Sequence, residues 1–110
     1  MEQSHNKLLI DILTAINEIE KFNESISSFE VFKNNILVRK ASERNLEIIG
    51  EAVKKLKNFG LILNNASKII SFRNFIAHEY DKIDAEIVWV IIKRHLPLLK
   101  FEVITVIESG

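Results

Sequence analysis

Cysteine is absent from the 110-residue chain, which excludes disulfides and thiolate metal sites and fits a reducing compartment. Net charge is absent too, because fifteen Lys and Arg balance fifteen Asp and Glu. The whole molecule therefore has no attraction to nucleic acid or to an anionic membrane, and little repulsion against self-association. The longest apolar stretch, Ile87 to Ile92, is far too short to span a bilayer. The start, MEQSHNKLLID, lacks the basic residues and long apolar core of a signal peptide. A cytoplasmic location with no membrane association is the expectation. One proline and three glycines leave few breaks, so long helices are permitted.

What is present is apolar and helically spaced. The length fits one domain, residues 1–110, with a hydrophobic fraction of 47% that is too high for disorder. Leu8, Ile12, Ala15 or Ile16, Ile19 and Phe22 recur at spacings of three and four, which predicts a first helix from Ser4 to Phe22 with Ser4 as its cap. Phe29 and Phe32 suggest a short element over 28–34, broken at Asn34 and Asn35. A long helix over 35–58 follows, with Leu37, Ala41, Ile48, Ile49, Ala52 and Leu56 on its core side. Arg39, Lys40, Glu43, Glu47, Lys54 and Lys55 fall mostly on the other side. Gly50 inside this helix costs about 1 kcal/mol relative to alanine, which suggests close backbone approach to another helix. Gly60 marks its end. Asn64 or Asn65 caps a helix to Glu79 with Ile69, Phe72 and Ile76 inward. Asp84 caps a last helix that Pro97 must kink or divide. The run Ile87–Ile92 is apolar all round, so it is buried on more than one side, within the bundle or against a second copy. The expected fold is all-α, an antiparallel bundle of four or five helices that forms a homodimer.

Charge is uneven along the chain. Residues 1–32 hold two basic and six acidic side chains, and residues 33–58 hold seven basic and three acidic ones. The second segment is the candidate phosphate-facing surface, or simply a solvated helix face.

The densest set of chemically capable side chains is Arg73, Asn74, His78, Glu79, Tyr80 and Asp81. Arg73 and His78 are about 140° apart on an ideal helix, whereas Asn74 and His78 share a face. Arginine supplies a permanent charge and a planar fork for phosphate. Histidine exchanges a proton near neutral pH. Asparagine can hold a phosphate oxygen or set the histidine tautomer. Metal-free cleavage of RNA needs a base for the 2′-hydroxyl, a cation for the charged phosphorane and an acid for the leaving oxygen. Spacing alone leaves a simpler alternative, in which Arg73 caps its helix or pairs with Glu79 or Asp81. His5 and His95 stand far from His78 with no ligand spacing between them, so no metal site is expected, and nothing calls for a cofactor. Trp89 reads as core or interface, with base stacking as a minor alternative.

Three blocks carry a family resemblance: VRKASERNLEIIGEAVKKL at 38–56, SFRNFIAHEYDKID at 71–84 and AEIVWVIIKRHLPLLK at 85–100. With the leading helix DILTAINEIEKF, they resemble the HepT-like toxin ribonucleases of the HEPN superfamily. The middle block holds the full Arg-x4-His-x-Tyr form at Arg73, His78 and Tyr80, with Asn74 after the arginine. The resemblance implies a homodimeric helical bundle whose two motifs line a shared cleft and cut RNA without a metal. It implies a toxin partnered by an MNT-type nucleotidyltransferase antitoxin that transfers AMP to the motif tyrosine, here Tyr80. By the same resemblance Arg73 binds the scissile phosphate, His78 is the general acid or base, and Asn74 orients substrate or His78. Arg44 and Glu51, in RNLEIIGEA, are second-rank candidates near that site, with an inter-helix ion pair or a dimer contact as the structural alternative. The connection NFGLILNNASKII departs from the family by lacking the longer proline-containing loop of many relatives, which alters the cleft rim and not the motif. The competing function is a non-catalytic dimeric module that binds a nucleotidyltransferase partner or nucleotide.

Overall fold

The spacing of apolar residues along the first helix sets the frame on which everything else packs. The computed structural model describes the backbone of residues 3–79 and 84–109 and the side chains of residues 5–74 and 84–109. In it α1 runs Gln3–Phe22 and buries Leu9, Ile12, Ile16 and Ile19 completely. Ser4, the expected cap, lies inside this helix instead. Helix α2, Phe29–Asn34, starts at Ser28, whose side chain accepts from the Val31 N–H. Helix α3, Ile36–Asn58, is capped by Asn35 accepting from the Val38 N–H at 3.1 Å.

Helix α3 ends as its glycine predicts. Gly60 adopts φ 92°, its N–H bonds to the Lys57 carbonyl, and the Leu61 N–H reaches back to Leu56. That pair of bonds is a Schellman motif, which a side chain beyond Cα would strain.

Next come a 3₁₀ turn, Asn64–Ala66, and α4, Ser67–Glu79. The expected asparagine side-chain cap is not what satisfies this end. The carboxylate of Glu102 accepts from the Asn64 N–H at 2.7 Å, the Asn65 N–H at 2.9 Å and the Asn65 amide at 3.0 Å. A remote anion thus covers the donors that a helix start leaves open.

Asp84 caps α5, Ala85–Val90, by accepting from the Glu86 N–H at 2.8 Å. A π-turn over Ile91–His95 then leads into α6, Leu96–Ser109. Pro97 has no N–H to give the preceding turn, and the wider π-turn just before it lets the helix continue past the ring. The elements order as α1–α2–α3–α4–α5–α6, and the described residues contain no strand. Helix α1 packs along α3 on one side and α6 on another, and α3 packs on α4. The fold is the expected all-α bundle. Among the described residues no helix is long and apolar enough to cross a membrane.

The core side of α3 differs from expectation. Leu46, Ile49 and Leu56 are fully buried, whereas Leu37 is 84% exposed and Ile48 lies at the surface. Leu37 is nine residues from Leu46, which places them about 180° apart on the helix. Ile76 falls outside the described side chains. The all-apolar run of α5 is split: Val88, Ile91 and Ile92 are buried, and Ile87 is about half exposed. Trp89 packs on the rings of Phe32 and Phe29 at 5.3 and 6.2 Å, with the Lys93 ammonium 4.6 Å from its ring. It is a packing residue that pins α2 to α5.

A polar layer joins α1 and α3. Asn23 donates to Ser42 Oγ and to the Ile19 carbonyl, and Asn45 donates to Glu18. Glu43, expected on the solvated side, is only 8% exposed, with Arg39 Nε at 3.8 Å. It lies three residues from Leu46, on the covered face. Burial raises its carboxyl above the ordinary glutamate value, against the pull of Lys40 and Arg39. The folded chain therefore keeps that proton to higher pH than the unfolded chain. Stability falls as pH rises from the ordinary glutamate range through the raised folded value. Glu43→Gln should raise the thermal midpoint at pH 7, with the gain vanishing below that range. A lower midpoint at pH 7 would mean that the Arg39 contact outweighs the burial of charge.

Candidate functional site

Arg73 leaves α4 on the side that faces α3, one turn after the fully buried Ile69. Gly50 lies beneath it. A Cβ built on Gly50 would stand 2.9 Å from the Arg73 Cβ and 3.2 Å from its Cγ. The close helix approach expected from that glycine is present, and what it accommodates is the root of the motif arginine. The guanidinium tip meets the next residue of α3, with Arg73 Nη2 donating to Glu51 Oε1 at 3.4 Å. The Arg73 side chain is 26% exposed and the Glu51 side chain 55%. The cation is thus held against α3 and stays partly exposed.

The other candidates fall into three groups. Asn74 is exposed on α4. The helix continues unbroken through His78 to Glu79, so Asn74 and His78 keep their four-residue spacing on one turn-to-turn face. The His78 side chain, Tyr80 and the Asp81 expected as an alternative ion partner lie outside the described residues or side chains. Arg44 does not join Arg73. Its side chain is 73% exposed and pairs with Glu47 at 3.5 Å.

Ser71 shares the Asn74–His78 face and lines an open groove of about 520 Å³ between α4 and the α5–π segment. Lys68, Glu86, Ile87, Val90 and the half-buried His95 complete most of its wall. His5 instead packs edge-on against Phe59 at 5.2 Å. Among the described residues no three His, Asp or Glu side chains gather as a metal-binding cluster.

Chemically, a permanently charged and partly exposed fork can hold two oxygens of a phosphate. It sits on the same helix as an imidazole that can move a proton. Glu51, a second-rank candidate in the sequence, forms the inter-helix ion pair that was its structural alternative, and its partner is Arg73. The chain neighbours weighed as partners of Arg73, Glu79 and Asp81, lie outside the described side chains.

The profile of the ribonuclease HepT-like family matches residues 12–106. The chain belongs to that family. A protein of Methanocaldococcus jannaschii, provisionally named an RNase, is 37% identical over 98 residues, covering 86% of this chain and 89% of its own length. A protein of Thermococcus cleftensis, provisionally named ribonuclease HepT, is 35% identical over 103 residues, or 91% of this chain and 93% of its own. A provisionally named RNase of Caldanaerobacter subterraneus is 34% identical over 85 residues, covering 74% and 76%. No solved structure matches the chain. Membership spans every described helix from α1 to α6, so the family's ribonuclease character applies to the unit that carries Arg73.

Proposed function

We propose that this chain is the toxin of a toxin–antitoxin pair and a metal-independent endoribonuclease working as a homodimer. The observation that carries the reading is Arg73, packed from α4 against α3 and partly exposed, followed on one unbroken helix by Asn74 and His78, in a chain of a ribonuclease family. In the proposed reaction a base takes the proton of the RNA 2′-hydroxyl, and that oxygen attacks the adjacent phosphorus. Arg73 neutralises the phosphorane. The bond to the 5′-oxygen breaks as an acid protonates it, leaving a 2′,3′-cyclic phosphate and a 5′-hydroxyl. His78 from each copy supplies one of the two proton transfers, and Asn74 orients substrate or imidazole.

Support for two copies meeting at this site comes from α3. Leu37, Arg44, Ile48 and Glu51 lie along one helix face by their spacing, so exposed apolar area leads directly to the Arg73 partner. Tyr80, two residues after His78, is the proposed point of control. An MNT-type nucleotidyltransferase partner would join its hydroxyl oxygen to the α-phosphorus of ATP and release pyrophosphate. The added AMP places negative charge and bulk beside Arg73 and His78 and keeps RNA out.

The native chain and His78→Ala, each expressed alone under tight induction, test the reading. Growth arrest with decay of total RNA is expected from the first and neither from the second. Healthy growth with soluble folded protein in both would favour a non-catalytic module that docks a nucleotidyltransferase.

A further inference from the structure

Gly50 and Glu51 are neighbours on α3, and both touch the same side chain of α4. A side chain at position 50 would bring its Cβ to 2.9 Å from the Arg73 Cβ and 3.5 Å from the Ile69 carbonyl oxygen. The Arg73 Cβ is fixed to its helix, so it cannot swing aside as a flexible tip would. Any residue larger than glycine must therefore part α3 from α4 or rotate α4. One residue later, Glu51 takes a hydrogen bond from the far end of Arg73 at 3.4 Å.

We propose that Gly50 and Glu51 together position Arg73 for phosphate binding, Gly50 by fixing where its side chain starts and Glu51 by fixing where its guanidinium points. The proposal rests on the reading of Arg73 as the phosphate-binding cation. Stability does not account for the pair. Glu51 is more than half exposed and the contact is long, the kind of ion pair that adds little to folding. Glycine inside a helix is itself a cost of about 1 kcal/mol. Orientation does account for it. A guanidinium presents five N–H donors in one plane, so a carboxylate on one N–H of Nη2 defines that plane and leaves the other Nη2 N–H, with its neighbour on the same edge, for phosphate oxygens. Lysine would have no such plane to set. Glu51 and Gly50 act through Arg73 and are positioning residues.

The test is a double-mutant cycle on the full-length purified protein, reading initial rates on a short single-stranded RNA. Glu51→Ala should slow cleavage by about ten- to a hundredfold, the scale of a misplaced reacting group. Glu51→Gln keeps a carbonyl that accepts from Nη2 and should restore most of the rate. In an Arg73→Ala background, Glu51→Ala should change the residual rate by no more than about twofold, because the residue it serves is gone. Gly50→Ala should slow the otherwise native protein as Glu51→Ala does; it is compared in that background alone, because Arg73→Ala keeps the Cβ that a side chain at position 50 would meet. Thermal unfolding of each variant confirms a folded chain, and if Gly50→Ala does not fold, the Glu51 cycle carries the decision. Equal losses with and without Arg73, or no loss from Glu51→Ala while Arg73→Ala is slow, would overturn the positioning role alone. Full activity of Arg73→Ala would overturn the phosphate-binding role of Arg73 and the positioning role with it.

Discussion

Arg73→Ala should slow RNA cleavage by about a hundred- to a thousandfold, the loss that follows removal of one preorganised donor to a developing oxyanion. The expectation follows from where the side chain sits. Its charge is held at the surface of α4, 26% exposed, so its orientation is set by protein contacts before any substrate arrives. Arg73→Lys keeps the charge but loses the planar fork. It cannot serve Glu51 and two phosphate oxygens from one plane, and should recover only part of the rate. His78→Ala in the same assay should lose about a hundred- to ten-thousandfold, as expected for a general acid or base. It should also flatten the pH dependence of the rate through the neutral range in which imidazoles titrate. Initial rates on a defined single-stranded RNA from pH 5 to 9 decide the matter. An Arg73→Ala protein that cuts within a few-fold of native would sink the phosphate-binding role. A steep neutral-pH profile surviving in His78→Ala would move the proton transfer to another group.

Local signals in the sequence were readable and remote ones were not. Gly60 and Asp84 act on donors or acceptors within a few residues, so their capping roles follow from composition and spacing, and Asn35, read only as a break, caps α3 in the same local way. The same is true of the helical run that carries Arg73, Asn74 and His78. The cap that Glu102 supplies to Asn64 and Asn65 joins residues thirty-seven and thirty-eight apart, and no local pattern announces it. Helix α3 shows the limit clearly. It has two apolar stripes on opposite sides, one through Leu37 and Ile48 and one through Leu46, Ile49, Val53 and Leu56. Periodicity finds both, but only the positions of α1 and α4 decide which is covered. Glu43 was misplaced for the same reason. For the site, the motif supplied the candidate residues and the family resemblance their expected roles. The sequence offered an inter-helix ion pair for Glu51 without its partner, and Arg73 is seen to be that partner only when α3 and α4 are laid side by side at Gly50.

Phe32→Ala should be the most destabilising single change outside the site, by about 3–5 kcal/mol. Phe32 is completely buried, and its ring meets Trp89 at 5.3 Å. Helix α2 has only six residues, too few to persist without tertiary contacts, so its place in the fold depends on this side chain. Removing the ring leaves a cavity between α2 and α5 and takes away the surface that supports Trp89. Against a total stability on the order of 5–15 kcal/mol for a domain of ordinary size, the loss is a large fraction of the whole. The thermal midpoint should fall by on the order of ten degrees or more. Leu37 supplies the contrast, because the sequence places it on the core side of α3 and the structure leaves it exposed. At 84% exposure, Leu37→Ser should change the unfolding free energy of the monomer by no more than about 0.5 kcal/mol. It should instead weaken self-association, since it removes apolar area from the α3 face that runs toward Glu51. Scanning calorimetry at low concentration measures the first effect, and sedimentation at higher concentration measures the second. A Phe32→Ala midpoint within two or three degrees of native would mean that α2 is not held by that ring. A Leu37→Ser monomer that unfolds many degrees early would mean that this end of α3 is covered in the folded chain.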